Sequence, residues 1–341
     1  MVEDMNFKIE NRRYTGSKAK LVNWIMSLIK KECKGNKFID IFAGTGVVAA
    51  EASKSFDEII INDFLFSNFV IYKAIFGNEK FDKEKLNKII DFYNKVDTKL
   101  LPDNYFSKNF GGRYFTQSNA KSIGYIREDI ENKKGTLTNR EYSMLLSSLI
   151  YATDKIANTV GHYDAYIKKT IVERKLDLKL INTISTKKVD IYREDANQLA
   201  KKIKADVVYI DPPYNSRQYS RFYHLLETLV KWDKPKLFGT ALKPNTENTS
   251  DYCKIKAPFV FKDLISKLNC KYIVVSYNNT YNSKSHSSRN KIKLEEIKDI
   301  LNSKGKTKVF KKNHKFFNSG KTNFDNHQEW VFITKVYEKY N

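Results

Sequence analysis

Four consecutive residues, Asp211-Pro212-Pro213-Tyr214, combine the groups needed to hold a planar amine. The Asp211 carboxylate and the Pro212 carbonyl are acceptors for both hydrogens of an exocyclic amine. The Tyr214 ring offers a stacking face worth about 1–3 kcal/mol to a nucleobase. In front of them Val207, Val208, Tyr209 and Ile210 form a short apolar, β-branched run of the kind that makes a fully buried parallel strand, and the prolines stop it abruptly. Asp211 is therefore expected at the carboxyl end of a strand, where open α/β sheets place their ligand crevice. Asp-Pro-Pro is also ordinary turn chemistry. Yet the whole chain has 6 prolines, and two of them stand side by side here after a buried strand, which favours the functional reading.

The elements that must position this tetrapeptide lie earlier in the chain. Residues 38–42, F-I-D-I-F, read as a strand carrying Asp40 and Phe42, and Ala43-Gly44-Thr45-Gly46 follows before an apolar helix start at Val47. A strand, a tight glycine turn and a helix make the first βα unit of a nucleotide-binding fold, because glycines let the backbone approach a ligand closely. The full G-x-G-x-x-G fingerprint and the G-K-[ST] phosphate loop are both missing, which disfavours a nicotinamide enzyme or an NTPase. Residues 58–63 give a second buried strand ending in Asp63, about twenty residues on, where an acid accepts from a ribose. Residues 189–195 give a strand with Asp195 at its tip, suited to an adenine amino group, and a helix is expected over 196–203. Residues 271–278, 306–310 and 330–337 read as further strands. Near the start, Arg12-Arg13-Tyr14-Thr15-Gly16-Ser17-Lys18 is a small-residue loop between cations, and Ser17 is a candidate cap for the helix patterned by Leu21, Trp24, Ile25, Leu28 and Ile29.

Composition narrows the partners. Lysine and arginine number 61 against 39 acids, a formal charge of +22, with 22 Phe and 21 Tyr scattered among the cations. Such a charge favours a polyanion through counterion release, so nucleic acid leads, against a solvated lysine-rich surface. Cys33, Cys253 and Cys270 stand in no paired spacing, which argues for a reducing compartment and against a cysteine-based zinc site. Residues 1–10 have no apolar leader core, and no run is long enough to span a bilayer. These features lead us to expect a cytoplasmic protein.

From 78 to 187 the pattern turns charged and helix-rich, with helical periodicity over 81–101 and 139–157. Between them, 110–127 is basic, aromatic and glycine-containing, a composition suited to phosphate and base contacts. Residues 157–168 are polar and aromatic, as in a recognition loop; the lone His162 is read as structural. Residues 280–290 form a basic Ser/Asn-rich loop that is either a connector or a DNA-facing arm. The expected organisation is a catalytic domain of 1–77 and 188–341 with an inserted, mainly helical target-recognition domain, 78–187.

The motifs R-R-Y-T-G-S-K, D-I-F-A-G-T-G, the strand ending in Asp63, D-P-P-Y and V-V-S-Y-N-N occur in an order that resembles the D12-class DNA adenine-N6 methyltransferases, the group of Dam-type enzymes and restriction-associated methylases. The resemblance covers almost the whole chain. It implies an α/β, Rossmann-like S-adenosylmethionine-dependent methyltransferase sheet. It further implies cofactor binding by Tyr14, Lys18, Asp40, Phe42, Gly44, Gly46, Asp63, Asp195 and Asp211, and catalysis by Asp211, Pro212, Pro213 and Tyr214. Thr15-Gly16-Ser17 replaces the Ala-Gly-Gly common in Dam-type enzymes, which favours a restriction-associated relative over the Dam target.

The expected reaction flips an adenine from double-stranded DNA and transfers a methyl group to N6, without a metal. A cognate restriction endonuclease is an implied partner, no membrane is implicated, and a monomer is favoured. N4-cytosine or RNA N6-adenine methylation on the same scaffold stays open, as does a catalytically silent DNA-binding subunit.

Overall fold

The computed structural model describes residues 8–9, 11–214, 216–280, 289–314 and 327–338. The expectations that fell on residues 1–7 and on most of the basic loop, 281–288, lie outside the described residues. The chain divides into two compact units. One comprises Met1–Ser17, Leu65–Ser185 and Tyr219–Glu247, and the other Lys18–Phe64, Thr186–Gln218 and Asn248–Asn341.

The second unit is built on a seven-stranded sheet: β1 (Lys37–Asp40), β2 (Glu58–Asn62), β3 (Lys188–Tyr192), β4 (Lys204–Ile210), β5 (Asn269–Asn278), β6 (Gly305–Asn313) and β7 (Gln328–Val336). Its order is β3-β2-β1-β4-β5-β7-β6. The first five strands are parallel, and β7 runs antiparallel to both β5 and β6. This is the expected α/β, Rossmann-like sheet. The central strands are apolar because both faces are covered: Ile39, Ile41, Val208, Ile210, Ile273 and Val275 share one core with Phe261 and Leu264 of the helix Ala257–Lys267. The edge strand β6, rich in lysine and more exposed, resists further pairing.

Chain order reverses between β1 and β4. From β1 the chain steps outward to β2 and β3, and β4 then returns on the opposite side of β1. The carboxyl ends of β1 and β4 therefore flank the crevice where such sheets bind ligands.

Two local readings differ from the structure. The helix after the first motif begins at Val22, with Leu21 at its N-cap and no side-chain cap, so Ser17 does not cap it. The helix expected over 196–203 is the single turn Ala196–Leu199.

The first unit is helical. Its longest helices are Asn139–Ile156, opened by a Thr138/Glu141 capping box, and Gln117–Asn132. Within the segment 110–127, expected to meet phosphates and bases, Phe110, Tyr114 and Phe115 are fully buried and supply core, while Gly112 and Arg113 are exposed. Arg127 is buried too, donating from Nε to the Leu229 carbonyl at 2.7 Å and from Nη2 to that of Val230 at 3.0 Å. These carbonyls close the helix His224–Lys231, whose last turn leaves acceptors without helical partners, and a cation there also answers the helix dipole. Among the described residues, no helix is long and apolar enough to cross a membrane.

Candidate active site

Asp211 is the first residue beyond β4, and Asp40 is the last of β1. Their strands pair in register with Asp40 opposite Tyr209, which brings the two carboxyls to one end of the sheet. Asp63 follows β2 and joins them through the glycine turn, where the Gly44 amide donates to Asp63 Oδ2 at 2.8 Å. The turn requires its glycines, since Gly44 sits at φ 54° and Gly46 at φ 79°, in the left-handed region that a Cβ disfavours. Asn62, which sequence reasoning passed over, fastens three strand ends. Its amide donates to the carbonyls of Ile41 and Glu194 at 3.0 and 3.1 Å, and its oxygen accepts from the Glu194 amide at 2.9 Å.

Asp211 is fully engaged. Its Oδ2 lies 2.9 Å from Lys18 Nζ, and its Oδ1 accepts from the Tyr214 hydroxyl, which in turn accepts from Lys18. Pro212 and Tyr214 are buried, with the Tyr214 ring edge-on to Tyr277 at 4.7 Å. The loop is held from behind by the Lys291 amide, which donates to the Tyr214 carbonyl at 2.8 Å. The first motif thus sends Lys18 to the D-P-P-Y loop. A further acid, Glu329 of β7, stands 3.5 Å from Lys18 Nζ and takes a 2.5 Å hydrogen bond from Ser276 Oγ of β5. The sequence signal for Glu329 is its isolation: it is the lone acid in Q-E-W-V-F-I-T-K-V, a strand whose middle is fully buried.

Burial sets the electrostatics. It pushes the Asp211 carboxyl up to about 6, helped by Glu329 and opposed by Lys18 and the Tyr214 hydrogen bond. Asp40 is held well above the carboxylate range by burial and then by Asp211 and Asp63; the Ala49 amide opposes this, though no described residue reaches hydrogen-bond geometry with either of its oxygens. Burial would lower the Lys18 ammonium, but Asp211 and Glu329 more than offset it, and it titrates above the ordinary lysine range. The result is a buried cation between the Asp211 and Glu329 carboxyls, with Asp40 a third buried carboxyl at the end of the neighbouring strand.

The remaining sequence candidates are placed as follows. Phe42 packs edge-on against Tyr252 at 5.0 Å, at the border of the sheet core. Asp195 is exposed and caps the turn Ala196–Leu199, its Oδ1 accepting from the amides of Asn197 and Gln198 at 3.0 and 3.1 Å. Pro213 is half-buried beside Pro212. Tyr14 belongs to the other unit, where it stacks on Tyr223 at 4.7 Å and 6° and receives a 3.3 Å hydrogen bond from Asn68. The unit boundary falls between Ser17 and Lys18, inside the first motif. His162 stacks on Phe222 at 4.5 Å within the helical unit.

This arrangement offers hydrogen-bond acceptors, an aromatic ring and surplus buried carboxyl groups at a sheet's ligand crevice. Such chemistry suits an amine substrate and a cationic cofactor. Comparison with known proteins agrees with that description. A family model described as D12 class N6 adenine-specific DNA methyltransferase matches residues 14–286. Modification methylase LlaI of Lactococcus lactis subsp. lactis is 33% identical over 291 residues, which are 78% of this chain and 46% of that protein. Type II methyltransferase M.FokI of Planomicrobium okeanokoites is 32% identical over 326 residues, 88% of this chain and 48% of that protein. Type II methyltransferase M.CviAII of Paramecium bursaria Chlorella virus 1 is 32% identical over 336 residues, 95% of this chain and 98% of that protein. The chain spans about half the length of the first two relatives and nearly all of the third.

Proposed function

Because the chain belongs to the D12 class N6 adenine-specific DNA methyltransferase family, we propose that it methylates adenine N6 at a specific site in double-stranded DNA, using S-adenosylmethionine. The observation that carries the reading is Asp211 at the carboxyl end of β4, beside the chain reversal, with the Pro212 carbonyl and the Tyr214 ring attached to it. The formal charge of +22 supports a polyanionic substrate.

The residues present fit the cofactor. Asp40 brings two buried acceptor oxygens that no described residue satisfies, and a buried polar group of this kind calls for a ligand. A cation that also carries amino groups answers it. Asp40, Phe42, Gly44, Gly46, Asp63, Asp195 and Asp211, together with Tyr14 and Lys18, are the proposed binding set. When bound, S-adenosylmethionine supplies the methyl carbon and takes up the electron pair of its carbon–sulfur bond.

An aromatic amine is a weak nucleophile because its lone pair is spread into the ring. Asp211 and the Pro212 carbonyl accept hydrogen bonds from both N6 hydrogens, which drives the nitrogen toward a tetrahedral, localised lone pair. The proton that N6 gives up once the new N–C bond has formed passes to the Asp211 carboxylate and on to solvent. For this, the incoming amine takes the place of the Tyr214 hydroxyl at Asp211 Oδ1, and the ring is left as the stacking surface. The segment 78–187 is proposed to read the target, and a restriction endonuclease of the same specificity is the proposed partner of a monomeric enzyme. The cytoplasm is the proposed compartment.

The test is transfer of labelled methyl from S-adenosylmethionine to unmethylated mixed-sequence duplex DNA, with product bases identified and Asp211→Ala alongside. N6-methyladenine from the wild type alone supports the reading. N4-methylcytosine, or transfer only to RNA, would replace the acceptor; cofactor and DNA binding without transfer would make the chain a silent subunit.

A further inference from the structure

The lysine that pairs with Asp211 has a second carboxylate to answer. Glu329 is 3% exposed in β7, opposite Asn278 of β5, and its Oε1 is 3.5 Å from both Lys18 Nζ and the Tyr214 hydroxyl. Burying a carboxylate costs several kcal/mol unless it is paired, so packing alone would favour an apolar residue at this place in the strand. Ser276 Oγ, donating at 2.5 Å, holds Glu329 in position. One ammonium is thus shared unequally, at 2.9 Å from Asp211 and 3.5 Å from Glu329.

We propose that Glu329 is a positioning residue for methyl transfer: by sharing Lys18 with Asp211 it loosens the Lys18–Asp211 pair, so that Asp211 can exchange partners and accept the incoming amine. The proposal rests on Asp211 being the amine acceptor. Remove the Glu329 charge, and of the two described carboxylates Lys18 keeps Asp211 and closes on it. Asp211 then becomes a stronger acid, and its carboxylate is harder to detach from the lysine.

Several groups face this pair. Lys18 approaches ahead of the helix Val22–Glu32; Asp40 comes from the end of β1, with Asp63 behind it; Tyr209 and Tyr214 flank Asp211 along the chain; and Glu329 comes from β7. His314, just after β6, faces Glu329 and also feels Lys18, His327 and Lys20. Glu329 acts on His314 as well as on Asp211, so His314 needs its own control.

The experiment measures kcat and KM for methyl transfer to duplex DNA against pH, in the wild type and in Glu329→Gln, Glu329→Met, Glu329→Asp, His314→Gln and Asp211→Asn. The acid limb of kcat/KM reports the free enzyme. It is expected near the Asp211 value of about 6 in the wild type. In Glu329→Gln and Glu329→Met it moves down by about one pH unit, and kcat at pH 8 falls about tenfold with little change in the cofactor KM. Glu329→Asp, which keeps the charge on a shorter stem, returns part of the way, and His314→Gln leaves the limb in place. Gln and Met variants differ in polarity, so a natively folding example of either suffices. A limb unmoved in that variant, or one that moves equally in His314→Gln, overturns the proposal. Asp211→Asn separates the premises: its inactivity beside an unmoved Glu329→Gln limb sinks only the role of Glu329, while wild-type transfer by Asp211→Asn removes the acceptor reading and this proposal with it.

Discussion

Asp40 closes β1 and Asp211 follows β4 at the same carboxyl end of the sheet, and of the two, among the described residues, only Asp211 has a cation and a hydroxyl bonded to it. Burial raises both carboxyls: Asp211 to about 6, with Lys18 and the Tyr214 hydroxyl opposing the rise, and Asp40 well above the ordinary carboxylate value, with Asp211 and Asp63 adding to it. Two carboxyls at one end of the sheet so acquire different surroundings from position alone, and perturbed acids of this kind cluster at functional sites.

Asp211→Asn keeps the shape of the loop and one acceptor oxygen but removes the charge. Transfer of labelled methyl to DNA should fall by about a hundredfold to a thousandfold, the usual loss when a preorganised electrostatic contact is deleted. Cofactor affinity, followed by calorimetric titration, should change far less. A variant with near-normal turnover would move the chemistry away from Asp211.

The same carboxyl makes stability depend on pH. Raised from 3.8 to about 6 in the fold, Asp211 binds its proton more tightly there than in the unfolded chain. Its contribution is neutral below the unfolded value and becomes unfavourable as pH rises from about 4 to about 6, reaching about 3 kcal/mol once it is ionised in both states. Urea unfolding of the wild type and Asp211→Asn at several pH values between 4 and 7 should show the difference between them shifting by about that amount in favour of the variant. A pH-independent difference would mean that the carboxyl is not raised.

Much of this site is legible in the sequence because it rests on local signals. Val207 to Ile210 and Ile59 to Ile61 are apolar runs closed by an acid, and both are buried strands whose acids reach the same crevice. The Gly44 and Gly46 turn is written in residue type, since their φ values demand glycine. Glu329 is not local: it meets Tyr214 across 115 residues of chain, through β7 inserting between β5 and β6. Lys18 reads in the sequence as the last residue of a small-residue loop between cations, and its partner Asp211 becomes visible only when that loop meets the end of β4. Composition misled at Phe110, Tyr114 and Phe115, because an aromatic ring next to cations suits a core as well as a base.

Asp40→Asn replaces an unpartnered buried carboxyl with a neutral group of the same shape. Without cofactor, the variant should be more stable at pH 8 by about 1–2 kcal/mol, since folding no longer has to work against a carboxyl that burial disfavours in its charged form and that is ionised in the unfolded chain. S-adenosylmethionine affinity should fall by about tenfold, the loss of one acceptor for a cationic, amino-bearing ligand. Thermal unfolding and calorimetric titration on one preparation measure both. Unchanged affinity would leave Asp40 as structure alone.

Gly46→Ala places a Cβ on a residue at φ 79°, the N-cap of the helix Val47–Ala52. The left-handed conformation costs an alanine about 1–2 kcal/mol, so the unfolding free energy should drop by that amount. If the turn relaxes instead of bearing the strain, the Gly44–Asp63 hydrogen bond is disturbed and cofactor affinity falls with it. Equal stability and equal affinity would show that the turn tolerates a side chain.

Tyr214→Phe keeps the ring and deletes the hydroxyl that Asp211 accepts from. Stacking survives, so kcat should stay within about tenfold to thirtyfold of the wild type. The acid limb carries the sharper outcome. The Tyr214 hydrogen bond favours ionised Asp211, so its loss raises the carboxyl further above about 6, and the limb of kcat/KM should move to higher pH. Removal of the Glu329 charge moves the same limb the other way, because Glu329 disfavours that ionisation. Opposite displacements by two neighbours of Asp211 would identify it as the titrating group, since neither a general loss of packing nor a change in DNA affinity predicts both signs. A complete loss of transfer in folded Tyr214→Phe would instead make the hydroxyl itself part of the chemistry.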